Sequence, residues 1–199
     1  MNNAQFYMLP MESCLPFLGE RNYLQGTTLF DAITDFIPRE TAVDYRISGV
    51  FRTDRILVTA DKYQGETGAL LVTGSGTNKQ KLFVSPLESS DKPERILFDE
   101  TPVQNQMCIE GDSVSITHEA EHSFATTIVS LNKWFLKGIL PIEGTGQWMF
   151  TRLTAKYIPD EYSNIVLKKK AVFSNGALVC SEVIVLGELI GDLYFSWVS

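Results

Sequence analysis

Gly26-Thr27-Thr28-Leu29-Phe30-Asp31-Ala32-Ile33-Thr34-Asp35-Phe36-Ile37-Pro38 is the stretch on which the reading of the fold turns. Leu29, Phe30, Ile33, Phe36 and Ile37 recur at helical spacing, a threonine is available as N-cap, and Pro38 stands just past the end. The pattern predicts a helix of about three turns with one apolar face. Downstream, residues 42–51, 55–60, 68–73 and 81–85 read as strands. Turn-rich segments such as Gly74-Ser75-Gly76-Thr77-Asn78 separate them, which predicts an antiparallel meander.

The plan returns further along. A strand at 113–124 precedes Ala125-Thr126-Thr127-Ile128-Val129-Ser130-Leu131-Asn132-Lys133-Trp134-Phe135-Leu136, a second helix. Strands follow near 146–157, 164–173, 177–186 and 192–198, and Ser174-Asn175-Gly176 signals a hairpin because Asn-Gly accepts positive φ. Thr27-Thr28-Leu29 and Thr126-Thr127-Ile128 occupy the same point of the two halves. The expected organisation is α+β, with units at 1–105 and 106–199 joined through the polar segments 89–93 and 101–106. Two unrelated helices that each begin with threonines are the plainer reading of so short an echo.

Composition narrows the class. The chain has 199 residues, 44% hydrophobic and 21% charged, with mean hydropathy near zero, which are values of a folded globular protein. No apolar run approaches the ~20 residues that span a bilayer, and residues 1–18 lack a basic region ahead of an apolar stretch. Cys14, Cys108 and Cys180 are odd in number and set among apolar residues, as reduced, partly buried thiols would be. The expected location is the cytoplasm, away from membranes. With 17 basic and 24 acidic residues the net charge is -7, which disfavours nucleic acid. Lys168, Lys169 and Lys170 form the one dense basic cluster, and on a strand they point to alternating faces.

His118-Glu119-Ala120-Glu121-His122 fits the spacing by which a helix offers two imidazoles to zinc. Val114, Ile116, His118, Ala120, His122 and Phe124 nevertheless alternate with polar residues, the period of a strand. On a strand the two imidazoles share a face roughly 13 Å apart, too far for one metal. The expectation is therefore no metal and no cofactor, with both histidines turned inward. A buried neutral His serves as acid or base near pH 7, and a structural His held by a carbonyl is the competing reading. Asp31 lies nearly opposite the apolar stripe of its helix, either solvated or facing other protein. Gly74 to Lys79 lacks phosphate-loop spacing. Trp134, Phe135, Trp148 and Phe150 read as core, and Cys108 as a small hydrophobe.

Phe17-Leu18-Gly19, followed by Leu24-Gln25-Gly26-Thr27-Thr28-Leu29-Phe30-Asp31-Ala32-Ile33, resembles the entry to the central helix in hot-dog-fold 3-hydroxyacyl-[acyl carrier protein] dehydratases. There a Phe-x-Gly is followed by Pro-Gly and, five residues on, by the catalytic Asp or Glu. Gly26, Asp31, Ala32 and Ile33 match, whereas Gln25 stands in place of Pro and Pro16 in place of the family's His. The resemblance implies two tandem hot-dog-like units, each a helix packed on an antiparallel sheet, and an acyl-thioester dehydratase or thioesterase. It implies one composite site of Asp31 with His118 or His122, and Gly26 in the substrate-binding segment. Ser130 stands where a second acid would be needed. The implied partner is an acyl carrier protein or a coenzyme A thioester, with homodimerisation as a further expectation. The alternative is a non-catalytic binding or assembly protein on the same scaffold.

Overall fold

A computed structural model describes residues 9–61, 67–74, 76–119, 121–140 and 145–199. Ser75 and Ala120, which belong to segments read above, lie outside the described residues. The chain divides into two compact units, Met1–Asp99 and Glu100–Ser199.

The first unit contains β1 (Met11–Cys14), β2 (Phe17–Leu18), α1 (Gly26–Thr34), β3 (Val43–Ile47), β4 (Arg55–Thr59), β5 (Ala69–Thr73), β6 (Gln80–Pro86) and β7 (Arg95–Ile96). Its antiparallel sheet runs β1-β4-β6-β5-β3, and β2 and β7 form a separate parallel pair. The meander expected here does not form, because β3 pairs with β5 and β6 lies between β4 and β5. The physical cause lies in the segment after β3. Phe51, 2% exposed, is bridged to Leu24 through a Leu24 N–H to Phe51 carbonyl bond of 2.9 Å. Its ring occupies the space where a Cβ on Gly68 would sit, 2.4 Å from the nearest ring atom. The chain leaving β3 is thus anchored beside the entry to α1, and β3 takes β5 as its sheet neighbour.

Helix α1 spans nine residues, too few for stability in isolation, so packing must hold it. Leu29, Phe30 and Ile33 are at most 1% exposed. Phe30 meets the ring of Tyr45 on β3 edge-on, with centroids 5.3 Å apart. The helix begins earlier and ends earlier than its sequence pattern predicts. Gln25 occupies the N-cap position without a side-chain cap bond, and the threonines available for the cap lie inside the helix, Thr27 buried in its first turn.

The second unit contains α2 (Thr101–Gln106), β8 (Cys108–Glu110), β9 (Ser113–Ile116), α3 (Phe124–Ile139), β10 (Gln147–Ala155), β11 (Ile165–Phe173), β12 (Leu178–Val185) and β13 (Glu188–Val198). Strand order is β10-β13-β12-β11-β9-β8, all antiparallel. The two units therefore share element order but not sheet order, since in the first unit the last two strands exchange places. Segment 101–106, read as a polar link, is a short helix with Pro102 in its first turn, where a missing N–H costs nothing.

Helix α3 packs on β9, β10 and β11. Ile128, Leu131, Phe135 and Leu136 are fully buried, as are Leu153, Leu167, Val183 and Leu193 from the strands. Burial of each such side chain stabilises by roughly 1.5–3 kcal/mol. Ser123 caps the helix, its Oγ accepting from the Thr126 N–H at 3.2 Å. The expected hairpin at Ser174-Asn175-Gly176 is present, with φ of 52°, 53° and 96°. A second tight turn at Leu186-Gly187 carries φ of 52° and 83°, and there the sequence offers only the glycine as a signal.

Among the described residues no helix is long and apolar enough to cross a membrane. All three cysteines are free thiols. Cys180 is buried, whereas Cys14 and Cys108 are exposed, which corrects their reading as partly buried. Gly191 on β13 lies close against β10, because a Cβ there would lie 1.8 Å from the Thr154 carbonyl oxygen. We expect Gly191→Ala to destabilise the protein by about 3 kcal/mol or more, visible as a large fall in melting temperature by circular dichroism. An unchanged melting temperature would refute this account of the β10–β13 pairing.

Candidate functional site

Two of the residues singled out in the sequence are brought together at the start of α1. Gly26 is the first helical residue, and its carbonyl accepts from the Tyr45 hydroxyl at 3.1 Å. Asp31 is half-buried one and a half turns on, close enough for its charge to act on Tyr45. Burial, and then the negative charge of Asp31, hold the Tyr45 phenol well above its usual range. Tyr45 is therefore a fixed hydrogen-bond donor over the whole physiological pH range. The sequence reading missed it, because in Val43-Asp44-Tyr45-Arg46-Ile47 a buried tyrosine reads as one more inward strand residue.

The histidines are placed differently from their expected positions. Strand β9 ends at Ile116, and His118 is exposed rather than turned inward. His122 is half-buried in the bend that leads to α3, and its carbonyl accepts from the Tyr162 hydroxyl. The ring of Tyr162 meets that of Phe124 at 5.8 Å, fixing the approach to the helix. The strand stops because its partner does. Ile116 pairs with Ile165, the first residue of β11, and the Asn164 N–H to Thr117 carbonyl bond of 3.2 Å closes the ladder. Among the described residues no three or more His, Cys, Asp or Glu side chains are grouped as metal ligands.

A fully buried carboxylate, Asp54, was not signalled by the sequence at all. It lies just before β4 and accepts from Ser89 Oγ at 2.8 Å, Ser90 N–H at 2.8 Å, Ser90 Oγ, and Cys14 Sγ at 3.2 Å. Burial alone would raise its pKa. The bonds from Ser90, Ser89 and Cys14 outweigh that and hold it well below the usual carboxylate range. In return the Asp54 carboxylate pushes the Cys14 thiol up, so Cys14 is a poor thiolate. The cluster ties β1 and segment 89–90 to the start of β4, and its chemistry is that of a structural clasp. Its members are 35 to 40 residues apart in sequence, a separation no local pattern reveals.

The units thus define a class of fold, antiparallel sheet with few helices, before any comparison with other proteins. No family model matches the chain, and no curated protein sequence does. Among solved structures, the dehydratase domain of RzxB from Pseudomonas fluorescens is similar at 8% identity and TM-score 0.49, over 95% of each chain. The dehydratase domain from the CurJ module of curacin polyketide synthase shares 9% identity at TM-score 0.46, over 92% of this chain and 86% of that one. A trans-acyltransferase polyketide synthase enoyl-isomerase shares 10% at TM-score 0.44, over 94% and 97%. With every TM-score below 0.5, these likenesses define neither the family nor the function of this chain.

The Asp54 clasp has a pH signature. Its folded pKa is depressed, so its stabilisation is complete above the unfolded value of about 4 and is lost as pH falls through that value toward the folded one. We expect Asp54→Ala to lower unfolding free energy at neutral pH by about 2–4 kcal/mol in urea titrations. The decline of stability between about pH 5 and pH 3 should be shallower in the variant than in the parent. Parallel pH profiles for the two proteins would contradict this role.

Proposed function

We propose that this protein acts on an acyl thioester by acid–base chemistry, with Asp31 as the acid and His122 as the base. The observation that carries the reading is Asp31 itself. It is half-buried on α1, five residues after Gly26, beside a tyrosine held protonated, in the segment that resembles the dehydratase helix. His122 is favoured over His118 because it is half-buried and positioned through its carbonyl, whereas His118 is exposed. In the dehydration, the imidazole takes the α-proton of a β-hydroxyacyl thioester. The β-hydroxyl departs as water with a proton from the Asp31 carboxyl, and the electron pair of the broken C–H bond becomes the Cα–Cβ double bond. The substrate class is an acyl chain on coenzyme A or an acyl carrier protein, with thioester hydrolysis as the other chemistry of this class.

A second reading, a non-catalytic binding or assembly protein on the same scaffold, is favoured by Pro16 in place of the family's His and by the exposure of His118. The two separate in one experiment on the full chain with a panel of β-hydroxyacyl and acyl thioesters of coenzyme A and pantetheine. Turnover is expected, and Asp31→Asn and His122→Ala should each lower kcat/KM by about 100-fold or more. His118→Ala should cost less than about tenfold. Turnover unaffected by Asp31→Asn would sink the proposed site. Saturable binding of the thioesters without turnover would establish the second reading.

A further inference from the structure

The second unit holds a hollow of about 570 Å³ that none of Gly26, Asp31, His118 or His122 lines. Its floor is the side of α3 turned away from the sheet, where Lys133, Trp134 and Lys137 fall at successive helical spacings. Its wall is the start of β10 and the end of β13, which bring Trp148 and Trp197 together edge-on at 5.5 Å. Gly146 permits this wall, since a Cβ there would lie 2.5 Å from the Trp197 indole. Trp134, grouped with the core in the sequence reading, is half-buried and lines the hollow instead.

The charges of the hollow do not cancel. Glu100 accepts from Ser130 Oγ at 3.2 Å and from Lys133 Nζ, so the charge on Lys133 is matched. Lys137 Nζ lies 4.4 Å from the centroid of Trp134, and among the described residues no carboxylate pairs with it. A cation over an indole face remains able to take an anion, because the ring occupies one side of the ammonium only. Trp148, 4% exposed, also keeps an indole N–H for which the described residues supply no acceptor. Among the described residues, one ammonium without a carboxylate partner and three indoles make a concave surface that is apolar and locally positive, on a chain whose net charge is -7. The volume is within the range of small-molecule sites, about 300–1,000 Å³.

We infer that this hollow binds an apolar carboxylate, its hydrocarbon or aryl body against Trp134, Trp148 and Trp197 and its carboxylate on Lys137. The inference stands apart from the proposed thioester chemistry, because it uses none of Gly26, Asp31, His118 or His122 and is read by binding alone. The probe is phenylbutyrate, titrated into the full chain and followed by tryptophan fluorescence and by calorimetry, with phenylbutanol as the neutral body and acetate as the charge without a body. Phenylbutyrate should saturate with a Kd below about 1 mM, and phenylbutanol should bind at least about tenfold more weakly. Lys137→Gln, at an exposed position, should weaken phenylbutyrate by about tenfold and leave phenylbutanol unchanged. Trp134→Leu should weaken both. Equal affinity for the acid and the alcohol, no effect of Lys137→Gln, or no saturable phenylbutyrate binding would each overturn the inference. Acetate binding as tightly as phenylbutyrate would do so too, by removing the role of the indoles.

Discussion

The phase of α3 on its sheet is the constraint from which the second unit follows. Ile128, Leu131 and Phe135 have to face β9, β10 and β11, and once they do, every other position on the helix is assigned. Asn132 is carried into the interior beside β12, where its Oδ1 accepts from Ser181 Oγ at 2.9 Å. Asn132 Nδ2 and Thr127 Oγ1 are buried without a partner among the described residues, each at a cost of about 1–3 kcal/mol. The apolar contacts offset these costs, since every large aliphatic or aromatic side chain buried there contributes a comparable or larger amount. The same phase turns Lys133, Trp134 and Lys137 to the opposite side. The hollow is therefore a consequence of packing the core, not an addition to it.

In the first unit the corresponding constraint is weaker and is supplemented. Helix α1 is nine residues long and has no side-chain N-cap, so its start is held by the Tyr45 hydroxyl on the Gly26 carbonyl and its middle by Phe30 against the Tyr45 ring. The anchoring of Phe51 to Leu24 adds a further tie at the helix entry. That tie also accounts for the sheet order, because it removes the segment after β3 from the edge where β4 would otherwise pair. Element order and strand adjacency are separate properties. A repeat in the first is compatible with a difference in the second.

What the sequence discloses and what it withholds follow from this distinction. Both long helices and the main strands are legible, since each carries an apolar period of 3.6 or 2 over several residues. Strands β1, β2, β7 and β8 and helix α2 are not, because two to six residues are too few to display a period. The strand predicted through His118 and His122 fails for a different reason. The alternation from Val114 to Phe124 continues past the last available partner, and a strand needs a neighbour for its N–H and C=O groups as well as a pattern. Beyond Ile116 the chain bends, His118 becomes exposed, and the backbone at His122 is satisfied by the Tyr162 hydroxyl. Gly26 and Asp31 were picked out together by a resemblance whose motif lies in one contiguous segment. Tyr45, Asp54 and the tryptophans of the hollow come from distant segments, and only the folded chain puts their partners beside them.

The first unit places two aspartates in different environments. Asp54 is fully buried, and its two oxygens receive Ser89, Ser90 and Cys14, so its negative charge is held in place and it has no proton to give near neutral pH. A group in that condition is an anchor, and it makes its neighbour Cys14 inert as well. Asp31 lies instead on a helix at a half-buried position, in contact with water and beside a phenol that burial keeps protonated. Of the two, only Asp31 is open to solvent, and so to a molecule bound against α1.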